Sequence, residues 1–224
     1  AGMAIERTLI RPIHAGKVDR PDEYAIMITF ALSILLLNLA NSVFGPWPQR
    51  PAPIFRGIVE VGELIIPGDR LTAASIGVVI IISLMLVLRY SWIGKAVRAV
   101  SQDRSAAEIF GINIAMVSML AFGTGAALAG AAGALIGPVF NVVPAMGVVP
   151  AIKAYIVVVL GGLGSIPGAI VGAIILGQVE SFATVLIPDT SRALAYKDAY
   201  GLVVLILILL LRPQGLFGKA ERRA

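Results

Sequence analysis

Residues 92–113, WIGKAVRAVSQDRSAAEIFGIN, decide how this chain is organised. They are charged and helix-forming, and they lie between two of its most apolar segments, Thr72–Leu88 and Ile114–Gly137. A protein that only had to cross the bilayer could close this gap with a few turn residues. A long amphipathic connection instead indicates a surface that contacts something in the aqueous phase, and a partner protein is the first hypothesis.

The composition is that of a membrane protein. Hydrophobic residues make up 58% and charged residues 14% of the chain, and the mean hydropathy is +0.92. Soluble domains are about 45–50% apolar and about 25% charged. The chain has no cysteine and one histidine, His14, which argues against thiolate chemistry and against a zinc or iron site. We expect one domain over residues 1–224, with no catalytic residue.

The apolar segments predict an all-α transmembrane helix bundle with about six spans. A span needs about 20 mostly apolar residues. Four segments approach this length, and two more, 150–163 and 198–211, are shorter. The predicted spans are Tyr24–Phe44, Thr72–Leu88, Ile114–Gly137, Pro150–Leu163, Ile166–Ile187 and Asp198–Leu211.

Basic residues predict the sidedness, because Lys and Arg concentrate on the cytoplasmic side. Twelve of the eighteen lie before the first span, after the second and after the last. Loop 45–71 and loop 188–198 then fall outside. By parity, segments 150–163 and 166–187 either both cross or neither does, and two crossings joined by the turn at 161–167 are preferred. In loop 45–71, prolines exclude regular helix in the first part, and the alternation in FRGIVEVGELIIPGD favours a short hairpin with turn signals at Gly57, Gly62 and Pro67–Gly68.

Small residues recur every four positions in two of the predicted spans. This spacing lets the backbones of neighbouring helices approach closely. It predicts a tight bundle without choosing among transporter, channel and membrane enzyme. The predicted packing residues are Gly125, Ala129, Gly133 and Gly137 in one stripe, and Gly164, Gly168 and Gly172 in the other.

The connection 92–113 reads as two short helices broken near Gln102. Asp103 is a candidate N-cap for the second helix, and Gly111 is placed to be its C′ residue, with Ile112 folding back. Asn113 then starts the next span. A disordered linker would not need such caps. The alternative is an amphipathic segment lying on the lipid surface with its basic residues toward anionic headgroups.

Three polar residues inside the predicted spans are candidates for a translocation path or for contacts between helices. They are Asn38, Lys153 and Glu180. Placing an ionisable group inside a membrane is costly in free energy, so such residues are candidates for a functional role. The alternative interpretations are a hydrogen bond to a neighbouring helix for Asn38 and Glu180, and an amine that reaches the interface for Lys153.

Four motifs, in the same order along the chain, carry a resemblance to a family. They are MAIERTLIRPI (3–13), GKAVRAVSQDRSAAEIFGIN (94–113), KAYIVVVLGGLGSIPGAIVGAIILGQVES (153–181) and YKDAYGLVVLILILLLRPQGLFG (196–218). They resemble the permeases of ABC importers in the branch that carries branched-chain amino acids, of the high-affinity subunit type that pairs with a second permease. Such permeases have two or three further spans before the first motif, so we expect roughly 60–70 residues to precede this sequence.

The resemblance implies a role for the connection 92–113: a coupling element that sits in a groove on a cytoplasmic ATPase and moves when the two ATPase subunits close. It implies that Asp103 and Gly111 shape the element, while Arg98, Ala106 and Ala107 face the ATPase. The full implied coupling set is Gly94, Arg98, Ala99, Asp103, Ala106, Ala107, Gly111 and Asn113.

The resemblance also implies the surroundings of the chain. The partners would be a second homologous permease, two ATPase subunits that bind ATP and Mg²⁺, an extracytoplasmic substrate-binding protein and the lipid bilayer, with no nucleic acid. The chain itself would hold no cofactor and no metal. The location would be a bacterial or archaeal cytoplasmic membrane. Importers of urea and short amides use similar subunits and stay open as an alternative.

Three other classes are weighed against this interpretation. A gradient-driven carrier or channel would be expected to show several intramembrane carboxylates and discontinuous helices, of which only Glu180 and the 150–167 region qualify. A membrane enzyme would need a nucleophile beside a base, or a cluster of acids and histidines. A regulatory or scaffolding subunit has no distinguishing composition.

Overall fold

The computed structural model describes residues 2–10, 20–52, 55, 57–61, 64–186 and 196–218. His14, the turn predicted at Gly62 and most of the predicted loop 188–198 lie outside these residues. The described part is predominantly helical, which confirms the predicted class. It forms two compact units, residues 1–145 and 146–224.

Within the residues that the structure describes, four helices are long and apolar enough to cross a membrane. Three belong to the first unit: α2 (Pro21–Phe44), α3 (Gly68–Tyr90) and α6 (Ile114–Ile136). The fourth, α8 (Ile166–Leu186), belongs to the second unit. The predicted bounds hold within a few residues except at α3, which begins four residues before Thr72. Pro67–Gly68 therefore starts a helix instead of forming a turn.

A β-hairpin occupies part of the loop between α2 and α3, as the alternating sequence predicts. Strands β1 (Ile58–Val61) and β2 (Leu64–Pro67) pair antiparallel, with Ile58 opposite Pro67. The same loop also contacts the segment that follows α6. Gln49 and Val142 exchange backbone hydrogen bonds of 2.9 Å, and Arg50 Nε donates to Asn141 Oδ1 at 2.9 Å. The two loops therefore share one end of the unit, which the predicted sidedness requires.

A short N-terminal helix, α1 (Gly2–Ile5), continues as a π-helical turn over Glu6–Ile10 and packs on α6. Contact is close: a Cβ on Gly2 would lie 2.4 Å from the Ala126 Cβ, and one on Gly123 would lie 2.6 Å from Met3 Cγ. The Gly123–Ala126 face of α6, which the stripe analysis did not select, is thus the face that packs here.

The four positions of the predicted stripe on α6 differ in whether they contact another part of the chain. Gly137 is buried beside Val142, whereas a Cβ on Gly125 or Gly133 would meet nothing within 4 Å, and Ala129 is exposed. Among the described residues the first three positions therefore do not pack against another helix. Their packing role stays a prediction about contacts outside this chain.

The second unit is built on a helical hairpin of α7 (Val148–Gly161) and α8, joined by residues 162–165. Gly161 lies against Gly168, and Gly172 lies against Val157, so the two helices run antiparallel. A Cβ on Gly161 would be 2.3 Å from the Gly168 carbonyl carbon, and one on Gly168 would be 2.2 Å from the Gly161 oxygen. Only glycine permits this approach of two backbones.

The turn between α7 and α8 corrects one prediction. Gly164 was expected to pack between helices, but it lies outside α8 with a φ of +83°, and a Cβ there would meet nothing within 4 Å. Its role is to supply the left-handed backbone conformation of the turn. Ser165 Oγ then accepts from the Gly168 N–H at 3.1 Å and caps the start of α8.

The segment after the last helix, α9 (Lys197–Leu211), returns to the end of α7. The backbone N–H groups of Leu216 and Phe217 donate to the carbonyls of Leu160 and Gly161, at 2.9 and 3.0 Å. These carbonyls are among the last four of α7, which have no partner inside their own helix. Residues 212–218, hereafter the C-terminal strap, therefore cap α7, and α7 and α9 end on the same side of the unit.

Candidate functional site

The connection 92–113 forms two helices, α4 (Trp92–Gln102) and α5 (Arg104–Ile109), between α3 and α6. The break falls at Asp103, next to the predicted position. We call Ser91–Asn113 the coupling element. It is continuous with a long apolar helix at each end.

Three side chains cap the helices that begin in this element. Asp103 Oδ1 accepts from the Ala106 N–H at 2.9 Å, and Asn113 Oδ1 accepts from the Met116 N–H at 3.0 Å. These bonds confirm the predicted starts of α5 and α6. Ser91 Oγ accepts from the Gly94 N–H at 3.1 Å and caps α4. This third cap was not predicted, although a serine before a helical pattern is the usual signal for one.

The end of α5 is a Schellman motif, as predicted. Gly111 has a φ of +79°. Its N–H donates to the Glu108 carbonyl at 2.9 Å, and the Ile112 N–H reaches back to the Ala107 carbonyl at 3.0 Å. Asn113 follows Ile112 directly, so no additional residue separates the chain reversal at Gly111 from the N-cap of α6.

The start of the element is fixed to the end of α3. A Cβ on Gly94 would lie 2.0 Å from the Leu88 carbonyl oxygen, so α4 crosses the end of α3 at a distance that only glycine allows. The Arg98 guanidinium donates to the same Leu88 carbonyl. Arg98 was expected to face a partner, but this hydrogen bond instead connects α4 to the end of α3. An arginine near a helix C-terminus satisfies carbonyls that the helix itself leaves unpaired.

The burial pattern of the element also differs from the expectation. Ala96 and Ala107 are 3% exposed, and Ala99 and Ala106 are half-buried. The expectation that Ala107 faces a partner is therefore wrong, because its side chain lies in the interior of the unit. Its small size serves packing within the chain.

The most exposed apolar residues of the element lie at the end of α5, and Trp92, at the start of α4, is 65% exposed. Ile109 and Phe110 are each 85% exposed, more than any other described large apolar residue. Ile109 is two residues from the buried Ala107, which places it on the opposite face of a helix with 3.6 residues per turn. We call these two residues the Ile109–Phe110 tip. The two-residue spacing between Ala107 and Ile109 is visible in the sequence, but the exposed tip was not predicted from it.

The second feature is an ion pair between two residues that were predicted separately. Lys153 on α7 and Glu180 on α8 form a salt bridge in which Nζ lies 2.8 Å from Oε1 and 2.8 Å from Oε2. Their side chains are 28% and 10% exposed. The pair joins the two arms of the hairpin.

Asn38, the third polar candidate, makes a bond within its own helix. Its Nδ2 donates to the Ile34 carbonyl at 2.8 Å, and the residue is exposed. In the part of the chain that the structure describes, no group of three or more His, Cys, Asp or Glu side chains is arranged to hold a metal ion.

Comparison with known proteins gives concordant results over nearly the whole sequence. Residues 15–211 match the profile of the family described as "Branched-chain amino acid transport system / permease component". The high-affinity branched-chain amino acid transport system permease protein LivH of Salmonella typhimurium is 34% identical over 226 residues, covering 98% of this chain and 70% of that protein. LivH of Escherichia coli is 33% identical with the same coverage. BraD of Pseudomonas aeruginosa, with the same descriptive name, is 32% identical over 222 residues, covering 98% and 71%.

No solved structure matches the chain. The family match and the relatives agree with the polytopic helical fold. The chain therefore belongs to the family of permease components of branched-chain amino acid transport systems.

Proposed function

We propose that the chain is the transmembrane permease subunit of an ATP-driven importer of branched-chain amino acids in a bacterial or archaeal cytoplasmic membrane. It would form half of the translocation path beside a second homologous permease. Two cytoplasmic ATPase subunits would drive it, and an extracytoplasmic binding protein would deliver leucine, isoleucine or valine. The names of the relatives, each a permease protein of a branched-chain amino acid transport system, support this substrate class.

The observation that carries the proposal is the rigid attachment of the coupling element at both ends. Ser91, Gly94 and Arg98 fix it to α3, and the Gly111 reversal and the Asn113 cap fix it to α6. Each N-cap contributes about 0.5–2 kcal/mol to the helix it starts. A displacement of this element is therefore transmitted to two long apolar helices instead of being absorbed by a flexible loop.

The Ile109–Phe110 tip is the part that we assign to the ATPase. Burial of a large apolar side chain contributes about 1.5–3 kcal/mol, so two such residues can anchor a helix end in a groove. Arg104 and Glu108 are exposed on the same short helix and would form the polar rim. Arg98 and Ala107 would act inside the element, by holding its shape.

Nucleotide chemistry would belong to the partners. ATP and Mg²⁺ would be bound by the ATPase subunits, and we assign no catalytic residue and no cofactor to this chain. Its own residues would convert ATPase closure into movement of α3 and α6.

The test is copurification of the full-length protein from its native membrane, with its associated subunits quantified. The variant I109S/F110S is compared with F140S, which removes an apolar side chain that is 64% exposed in the loop after α6, at the other end of that helix. We expect two ATPase subunits and a second permease with the native protein and with F140S, and loss of the ATPase from I109S/F110S. Equal recovery of the ATPase with all three proteins would show that the tip is not part of the docking surface.

Recovery of the native protein alone would contradict the importer itself and favour a gradient-driven carrier, with the coupling element on the lipid surface. Uptake by the native complex then separates the substrate classes. Leucine uptake that depends on ATP supports the proposal, and ATP-dependent uptake of urea or a short amide in its place would move the chain to a related importer.

A further inference from the structure

The Lys153–Glu180 pair lies within the helical part of both arms of the hairpin. At 1.5 Å per residue, Lys153 is about 12 Å along α7 from Gly161 and about 8 Å from Val148. Glu180 is about 21 Å along α8 from Ile166 and about 9 Å from Leu186, so the pair is nearer the open end of the hairpin than its turn. Glu180 is 7% exposed as a whole residue, and the buried apolar residues Ile156 and Leu176 are each one helical turn from a member of the pair.

Holding the hairpin together is not a sufficient reason for this pair. The two helices are already joined by four residues, their backbones touch at Gly161, Gly168 and Gly172, and the C-terminal strap closes one end. Apolar residues in place of a buried ion pair are often as stable or more stable. Within a membrane the cost of burying two charges is higher, so an ion pair there is a candidate for a function.

We propose that Lys153 and Glu180 form a binding site for zwitterionic α-amino acids during translocation. The ligand's carboxylate would take the place of Glu180 on the Lys153 ammonium, and its own ammonium would take the place of Lys153 on the Glu180 carboxylate. This inference rests on the proposed function and specifies where in the path the substrate is recognised.

The exchange suits a zwitterion because it keeps every charge paired. One ion pair opens and two form, the site stays neutral overall, and no proton has to move. A ligand that carries only one charge would separate Lys153 from Glu180 but supply a counterion to only one of them, which is unfavourable in a partly buried site. The lysine side chain is the more exposed member, 28% against 10%, and offers the first point of contact.

The surroundings suit an aliphatic side chain. Position 153 is flanked on α7 by the exposed residues Ile152 and Ala154, whereas in the next turn Ile156 is buried and Val157 is half-buried. A leucine side chain could lie along this surface while its charged groups engage the pair. The site would therefore select for the ammonium and carboxylate groups of an amino acid. It would discriminate only modestly among apolar side chains, because one methylene changes the selectivity between two substrates by only about 10- to 200-fold.

The experiment uses the assembled transporter, purified with its ATPases and second permease; the binding protein is left out of the binding measurement and is added for the uptake measurement. Leucine binding is measured by saturation-transfer NMR, and uptake is measured in proteoliposomes. The variant K153M/E180Q removes both charges with little change in side-chain length. The matched control R20M/E23Q neutralises another ion pair, Arg20–Glu23, whose side chains are 76% and 66% exposed. Leucine is compared with 4-methylpentanoate and 3-methylbutylamine, which each lack one of its charges.

We expect the native complex and the control to bind and transport leucine and to ignore both single-charge analogues. K153M/E180Q should assemble and hydrolyse ATP but lose at least about tenfold in leucine uptake, the effect of one lost charge-assisted hydrogen bond. Uptake at the native rate by this variant would overturn the inference and leave the proposed function standing. Absence of leucine uptake by the native complex would overturn the proposed function itself.

A transposed variant, K153E/E180K, covers the case in which the neutral variant fails to assemble. It restores an ion pair but reverses the positions at which the ligand's carboxylate and ammonium would bind. A complex that assembles and still does not transport leucine supports the binding site. Full uptake by the transposed variant would show that the pair only holds the hairpin.

Discussion

Replacing Gly94 with alanine should uncouple the element from the apolar helix before it. The new Cβ would lie 2.0 Å from the Leu88 carbonyl oxygen, and ordinary contact begins near 3.4 Å, so α4 has to move by about 1.4 Å. Overpacking of this kind costs about 1–3 kcal/mol. Since each 1.4 kcal/mol is a factor of ten, the population of the docked arrangement falls by about 5- to 150-fold.

The assay is the ratio of leucine uptake to ATP hydrolysis by the assembled complex in proteoliposomes. The matched control is G77A on α3, where a Cβ meets nothing within 4 Å. We expect G94A to lower the ratio by at least fivefold and G77A to leave it unchanged. If G94A matches G77A, the close attachment of α4 to α3 does not transmit the motion, and the reasoning about rigid attachment is wrong.

Three further substitutions test the elements separately. G168A places a Cβ 2.2 Å from the Gly161 oxygen and should lower the unfolding temperature of the detergent-purified protein by several degrees, whereas G177A, which has open space on the same helix, should not. D103A should speed hydrogen exchange of the α5 amides through loss of a cap worth about 0.5–2 kcal/mol, and D103N should restore protection. G215A, at a φ of +77° and with a Cβ 2.7 Å from the Val159 oxygen, should speed exchange of the Leu216 and Phe217 amides, and unchanged protection would contradict the strap's role as a cap.

Local chemistry explains what could be predicted from the sequence. An aspartate cap, a glycine after a short helix and an asparagine before an apolar run each act over three or four residues, so Asp103, Gly111 and Asn113 could be interpreted without a fold. The same holds for the apolar helices, whose bounds follow from length and composition, and for the β-hairpin, whose alternation is visible in the sequence.

Contacts between distant residues explain what could not be predicted. Lys153 and Glu180 are 27 positions apart, and only the glycine-to-glycine approach of α7 and α8 brings them together. Arg98 and Ala107 were assigned to an outward face because the resemblance to ABC-importer permeases implies it. The tertiary placement of α4 and α5 gives Arg98 a carbonyl partner, buries Ala107 and leaves the tip outside.

The C-terminal strap bears on the sidedness of the short helix α7. It joins the end of α9 to the end of α7, and α8 runs antiparallel to α7. With the last basic segment on the cytoplasmic side, α7 would end and α8 would begin on that side. This arrangement favours the interpretation in which both cross, although α7, at 14 residues, is only about 21 Å long.

The proposed function depends above all on docking of the coupling element to an ATPase through the Ile109–Phe110 tip. The most direct measurement is photo-crosslinking in native membranes with a benzoyl-phenylalanine placed at position 110, and at position 140 as the control. We expect a permease–ATPase adduct from position 110 and none from position 140. An assembled, active transporter that gives no ATPase adduct from position 110 would contradict this docking.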